Sequence, residues 1–515
     1  MFTLPFSAWI GNAAAVLCGR FGEVTRRARE VGCSRQTLYD QAQKVQDALE
    51  RPTQKQFLRL LHEKERLERE NQQLFEWLAQ TTDFPKPKQQ EFSATASAMG
   101  LSLTQITVLL GIVMGAAAAP SRTTIGRWVE AACQKASAVL EVLDRACRPL
   151  VLALCLDEIF FHQKPVLVGV EPASMAWVIG QRAPDRSGQT WLETLRPWDH
   201  LESAVADAGS GLQSGLKQLN GLRASEPQAP QIDVGLDIFH IKKEALPVLI
   251  RQWKSAETLW EQAEAADRVV VHCRTQGQNA CAAAAQARAA WTKATTAFHA
   301  VCALEAVWQR AEAALTVFRE DGTLNDRATA EAALAAVVEL LPGAAWAKVR
   351  RMLSDERTLT FLDRLHRQLL SACPDETLRG ELVQLCWLRR QQQANPNDSL
   401  WESRLALQKL LCQRLNPKWS EAYRAVVRVI RAVVRASSLV ECMNSVIRMQ
   451  QARHRFLSQP LLDLKRLHWN CRPFREGRRR GQSPYQHLNL PLPTPNWWTL
   501  LNIDPQFLAE KLSSQ

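Results

Sequence analysis

The sequence predicts an α/β core that is interrupted by a large all-α insertion and preceded by helical regions of helix-turn-helix type. Three observations lead there. Short apolar runs at 150–156, 165–170, 176–180, 201–206 and 232–236, bounded by turn residues, have the length and punctuation of strands in a mixed sheet flanked by helices. From 241 to 430 the pattern is almost wholly helical, including the Ala-rich stretch 279–315. Before 148, two helix pairs each place a hydroxyl residue where it caps the second helix. The 515 residues suffice for three or four units at about 150 residues each.

The first helix pair is Glu23-Val-Thr-Arg-Arg-Ala-Arg-Glu-Val-Gly-Cys-Ser-Arg-Gln-Thr-Leu-Tyr. Gly32 supplies the turn, Ser34 caps the second helix, and Ala28 is small enough for close helix crossing. Arg35, Gln36, Thr37 and Tyr39 then project from the start of a recognition helix, where base edges and phosphates are reached. This assigns 1–50 to a helix-turn-helix, with an ordinary helical hairpin carrying a polar face as the alternative. In 51–85, Phe57, Leu60, Lys64, Leu67, Asn71, Leu74 and Leu78 alternate three- and four-residue steps, a heptad seam with polar residues at two inner positions. The segment is a coiled-coil or dimerisation helix, or equally a helix packed on its own chain. After the Pro-containing linker 85–90, a second helical DNA-binding region over 86–148 offers Arg122, Thr123 and Arg127 behind the Ser121 cap. A purely structural helix pair fits there too.

Bulk properties narrow the partner. A net charge of +12 favours a polyanion, because neutralising phosphates releases condensed counterions. The basic residues gather near the N-terminus and between Arg424 and Arg480, as docking surfaces do. Thirteen cysteines occur singly, with no CxxC pair or zinc spacing, which points to a reducing compartment. The apolar stretch 8–18 lacks a basic leader, and 101–119 is broken by Ser102, Thr104, Gln105 and Thr107, so neither a signal peptide nor a membrane span is expected. Seventeen Trp include candidates for stacking on a base, though most belong in cores.

Three carboxylates stand out by position. Asp157 ends the first apolar run and Asp207 the fourth, so adjacent strand ends bring both to one sheet edge. Gly209 and Gly211 behind Asp207 allow a turn with room for a nucleic-acid backbone. Glu441 lies on a helix where Ser437, Asn444 and Arg448 share its face, while Leu439, Val440, Met443 and Ile447 form an apolar face suited to the sheet. Glu441 needs a partner there, either Arg448 or a metal. Glu158 and Asp237 are neighbouring alternatives. Hard divalent cations take such oxygen ligands, and two of them about 3.5–4 Å apart can activate the attacking oxygen and stabilise the leaving one in phosphodiester displacement.

Asp157, Asp207 followed by Ala-Gly-Ser-Gly-Leu, and the helix Ser-Ser-Leu-Val-Glu-Cys-Met-Asn-Ser together resemble the bacterial insertion-sequence DDE transposases. Asp237-Ile-Phe-His240 is similar to the D/C-x-x-H element of Mutator-type and hAT-like transposases, some of which carry a helical insertion before the final Glu. The tail Leu467-His-Trp-Asn-Cys-Arg-Pro-Phe-Arg-Glu-Gly-Arg-Arg-Arg-Gly-Gln-Ser-Pro-Tyr resembles the stretch that closes many transposase and integrase cores. The likeness lies in the ordered set of parts over about 1–500.

The resemblance implies an RNase H-like catalytic core in two parts, 149–240 and the closing helices 431–470, with the insertion at 241–430 and a basic tail at 471–515. It implies that Asp157, Asp207 and Glu441 bind two Mg²⁺ ions, for which Mn²⁺ can substitute, to nick DNA at a transposon end and join the freed 3′-hydroxyl to target DNA. Asp237, His240 and Asn444 would support the site, with His240 and Asp237 alternatively touching the scissile strand; an ordinary buried Asp-His pair fits the residues equally. Arg448, Arg453, His454, Arg455, Arg472, Arg478, Arg479 and Arg480 would hold phosphates. Double-stranded DNA is the expected partner, a homodimer or higher oligomer the expected state, and the bacterial cytoplasm the expected compartment. The alternatives are a non-cutting or domesticated DNA-binding regulator on the same scaffold, and a nuclease that only hydrolyses.

Overall fold

The computed structural model describes residues 6–49, 54–80, 84–225, 230–451 and 457–513. It divides into two compact units, 1–85 and 86–515. In the first, helices α1 (Phe6–Leu17), α2 (Glu23–Glu30) and α3 (Arg35–Leu49) pack together, and α4 (Gln54–Gln80) follows. Gly32, at φ 65°, makes the turn between α2 and α3. The Ser34 hydroxyl accepts the Thr37 N–H at 3.1 Å and so satisfies one of the free donors at the start of α3. Ala28 and Leu38 are buried where the helices cross. A buried Asn12 ties all three together, donating to Gln41 at 2.7 Å and accepting from Arg27 at 2.9 Å. Along α4, Leu60, Lys64, Leu67 and Asn71 are exposed, while the side chains of Phe57, Leu74 and Leu78 lie outside the described residues.

The second unit opens with α5 (Lys86–Ala98), α6 (Leu103–Met114) and the long α7 (Arg122–Cys147), whose Ser121 cap accepts the Thr124 N–H at 3.2 Å. Strands β1 (Ala153–Phe161), β2 (Lys164–Val170) and β3 (Trp177–Arg182) come next, then α8 (Gly188–Leu195), β4 (Ser203–Ala206), α9 (Ser210–Ala224) and β5 (Asp233–Leu236). The sheet order is β3-β2-β1-β4-β5, with β1, β2 and β3 antiparallel and β4 and β5 parallel to β1. Asp157 is therefore not at a strand end. The apolar run stops at Leu156, but pairing with β2 carries β1 on to Phe161, and Ile159 and Phe161 keep the alternation inward.

Helices α10 (Ile238–Thr275), α11 (Cys281–Ala314), α12 (Arg327–Leu340), α13 (Ala347–Leu353), α14 (Thr360–Ala372), α15 (Glu376–Ala394), α16 (Ser399–Leu415) and α17 (Trp419–Ala432) build the insertion around its own core, which includes Trp308, Trp346, Leu362, Leu365 and Leu382. It begins three residues earlier than the apolar pattern suggests, because Asp237 caps α10 by accepting the Phe239 N–H at 2.8 Å. Arg357 bonds Gln213 and Arg367 pairs with Asp233, so the insertion is tied to the sheet layer at α9 and β5.

The chain then returns through α18 (Ser438–Gln451) and α19 (Gln459–Cys471). Helix α18 lays Val440, Met443 and Ile447 on the sheet face that carries Cys155, Ile159, Val168 and Val205. Leu439, expected on that face, is only half-buried and stands outside this core. On α19, a buried Arg466 meets Asp144 of α7 at 2.6 Å and donates to the Val178 carbonyl at 2.6 Å. Asn470 holds both backbone polar groups of Trp177 at the start of β3, at 2.8 and 2.9 Å. The protein is thus mostly helical around a small mixed five-stranded sheet. No described helix is long and apolar enough to cross a membrane.

Candidate active site

Strand register assembles the site. Leu156 of β1 pairs with Ala206 of β4, and Ala206 pairs with Leu236 of β5. The next residue on each strand is an aspartate, so Asp157, Asp207 and Asp237 form a row across three parallel strands spaced about 4.8 Å apart. Because alternate residues of a strand share a face, Asp157 points with Cys155 and Ile159 toward α18. From that helix Asn444, fully buried, donates to Asp157 Oδ2 at 2.6 Å. The Glu158 N–H donates to Asp157 Oδ1 at 2.8 Å.

The three carboxylates expected to act together face one another electrostatically. Burial pushes the Asp157 carboxyl up to about 6; the Glu158 N–H opposes this, and the charges of Asp207 and Glu441 add to it. Glu441 is engaged by cations: Lys243 at 3.2 Å, Arg448 at 3.3 Å and the His240 Nε2 at 3.7 Å. The partner sought for Glu441 is thus partly Arg448, as its helical spacing allowed, and partly Lys243, which no sequence pattern marked. Lys243 lies one turn beyond His240, a spacing that shows only once α10 is known to start at Ile238.

Asp237 is the structural hub. Fully buried, it accepts the Phe239 N–H, the Ser437 N–H at 2.9 Å, the Ser437 hydroxyl and His240 Nδ1. Burial opposes its ionisation, but the bonds from His240 and Ser437 outweigh this and hold the carboxyl below its ordinary value. The same bond raises His240 against the cost of burial, so the imidazole holds its proton more tightly than usual between Asp237 and Glu441. Glu158 is spent on Arg186 at 2.8 Å. The two alternative acids therefore have partners of their own.

The donor set suits a hard divalent cation at Asp157 and Asp207. Both are oxygen ligands, Asp157 is penalised as an anion by its acidic neighbours, and the buried Asn444 Oδ1 beside it has no hydrogen-bond partner. Glu441, engaged by three cationic groups, does not close the set: among the described residues no three His, Cys, Asp or Glu side chains are grouped to hold one metal ion.

Gly211 serves a different purpose from the one expected. A Cβ there would lie 1.8 Å from the Arg186 carbonyl oxygen, so the glycine makes room for the protein's own backbone as α9 leaves Asp207. Gly209 donates its N–H to Asp207 Oδ1 at 3.0 Å.

The basic residues are dispersed. Arg35, Gln36 and Tyr39 are exposed at the start of α3 and Thr37 is half-buried; Arg122, Thr123 and Arg127 are exposed at the start of α7. Arg472 lies over the Trp469 ring, and Arg478 and Arg480 are exposed. Arg479 donates to the carbonyls of Pro172 and Ala173 at 2.8 and 2.7 Å. Arg453, His454 and Arg455 lie outside the described residues. Comparison with protein-family models matches no family, and comparison with curated proteins finds no match.

Proposed function

We infer that this chain is a DDE-type DNA transposase with an RNase H-like core, which nicks DNA at the ends of an insertion sequence and transfers the strand to target DNA. The observation that carries this is the aspartate row across β1, β4 and β5, with α18 bringing Asn444 onto Asp157 and Glu441 into its field. The mixed sheet, the helical insertion between β5 and α18, and the helix-turn-helix geometry of α2 and α3 support the same reading. Asp157 and Asp207 would hold divalent cations, Mg²⁺ or Mn²⁺, with Glu441 completing the set. Bound there, the ions supply electrostatic stabilisation to phosphodiester displacement.

The chain's own groups do the rest. Asp237 fixes His240 and the Ser437 backbone, so the start of α18 is anchored to the end of β5. Lys243 and Arg448, with half-exposed side chains, are placed to exchange Glu441 for a substrate phosphate, which leaves that carboxylate available. The exposed heads of α3 and α7 would hold DNA by its phosphates.

Two observations favour a second reading, a DNA-binding regulator that does not cut: Glu441 is already paired with cations, and no three-ligand group is present among the described residues. Nicking of a supercoiled plasmid carrying the gene with its flanks, in Mg²⁺ or Mn²⁺, separates the two. The transposase reading expects site-specific nicking that falls at least about 100-fold in Asp157→Asn, Asp207→Asn and Glu441→Gln, with DNA binding retained. Nicking that persists in all three variants sinks it, and binding without nicking by the wild type transfers the support to the regulator.

A further inference from the structure

A second basic surface lies away from the carboxylates. A groove runs between α17, the loop after α19 and the turn joining β2 to β3, and its lining holds eight arginines, of which six concern the argument: Arg389 of α15, Arg424, Arg428 and Arg431 of α17, and Arg478 and Arg479. The three on α17 are spaced by four and three residues, so they share one helical face over about 10 Å. The opposite face buries Val426 and Ile430 in the insertion core, which fixes the arginine face outward.

The charge of this groove is only partly offset from within, because Glu171 and Glu202 are the only acids in its lining. Among the described residues none of the six arginines forms an ion pair. Glu171, buried in the wall, keeps its negative charge beside Arg479 while accepting the N–H groups of Ala173 and Ser174, at 2.9 and 2.6 Å, and the Ser174 hydroxyl at 2.5 Å. The bonds from Arg479 to the Pro172 and Ala173 carbonyls bolt the C-terminal loop to the β2–β3 turn, so this wall is preformed.

The groove reaches the start of α18 at Ala436, Ser438 and Leu439, but none of Asp157, Asp207, Asp237, His240 and Glu441 lines it. It includes Leu152 and Glu202, at the beginnings of β1 and β4, whereas Asp207 follows the end of β4. The four residues of β4 separate Glu202 from Asp207, a rise of about 16 Å along the strand. Arginine is the side chain that matches phosphate oxygens two at a time, and here it is used without a single lysine in the lining.

We propose that this groove binds the phosphodiester backbone of double-stranded DNA as a track separate from the carboxylate edge. It rests on the reading of the chain as a DNA-processing protein and joins the tail arginines, marked in the sequence, to Arg389 and the α17 face in one groove. Binding of this kind is independent of base sequence and releases counterions.

The test is the salt dependence of full-length protein binding to a labelled duplex of arbitrary sequence, followed by fluorescence anisotropy. With all three α17 arginines changed to Ala (Arg424→Ala, Arg428→Ala and Arg431→Ala), the slope of log K against log salt becomes shallower by about 2 to 3, at about 0.9 for each phosphate left without its arginine. The matching triple Lys variant, which keeps the charge, retains most of the wild-type slope. An Ala variant with a wild-type melting curve and an unchanged slope overturns the proposal, as does a Lys variant that falls as far as the Ala one. A weakening confined to single-stranded RNA, with duplex DNA unaffected, overturns it too. Wild-type protein that binds with a steep slope but never nicks leaves the groove standing and removes only the strand-transfer reading.

Discussion

Asp157 shows how much one side chain reports about the site. Its carboxyl is raised to about 6, above the ordinary value, first by burial and then by Asp207 and Glu441. The folded chain thus resists ionising this group more than the unfolded chain does. Without metal, stability falls as pH rises through the window from about 4 to about 6 and stays lower above it. Asp157→Asn removes the penalty, so the metal-free variant unfolds at higher urea than the wild type at pH 7.5, by on the order of 3 kcal/mol, and the two converge near pH 4. On the proposed reading, in which Asp157 holds a divalent cation, Mg²⁺ is expected to stabilise the wild type and leave the variant unmoved. A variant no more stable than wild type at pH 7.5 contradicts this account of the aspartate row. All three aspartates of that row were legible as acids closing apolar runs. The partners of Glu441 were legible only in part, because Lys243 comes from an element almost two hundred residues away.

Among the elements, α9 depends on the glycines at its start, because it leaves Asp207 at once and crosses the segment before α8. A Cβ on Gly211 would strike the Arg186 carbonyl oxygen at 1.8 Å, and one on Gly215 would meet the Trp191 Cβ at 2.6 Å, whereas Gly221 has nothing within 4 Å. Gly211→Ala is expected to cost about 1–3 kcal/mol or more and to cut nicking by displacing Asp207, and Gly221→Ala to gain about 0.5–1 kcal/mol. Thermal melting of the two variants decides it, and equal melting temperatures would refute the packing argument. The strands were readable from their apolar runs, but the length of β1 was not. Its last residues hold on through pairing with β2, a tertiary effect that alternation alone did not extend past Leu156. The start of α10 was misplaced because Asp237 reads as a strand-end acid and acts as a helix cap.

In the whole molecule, the order of parts was visible in sequence: helices, sheet, helical insertion, closing helices. The ties between the parts were not. The buried Arg466–Asp144 pair joins α19 to α7, Asn470 clamps the edge strand, and Arg357 and Arg367 bind the insertion to the sheet layer. Each spans a long stretch of chain and uses a residue type that reads as surface until its partner is known. The gathering of Arg389, Arg424, Arg428 and Arg431 with the tail is of the same kind: the basic stretch was evident, its groove was not. What all these ties serve, on the reading argued above, is to hold the aspartate row and α18 in one arrangement that cuts and joins DNA. Joining is the most direct test. Labelled duplexes carrying the gene's own flanks, incubated with protein, plasmid and Mg²⁺ or Mn²⁺, should yield plasmid with the label covalently attached through its 3′ end, and no such product with Asp157→Asn. Protein that binds those duplexes yet gives neither nicked nor joined product with either ion would contradict the account.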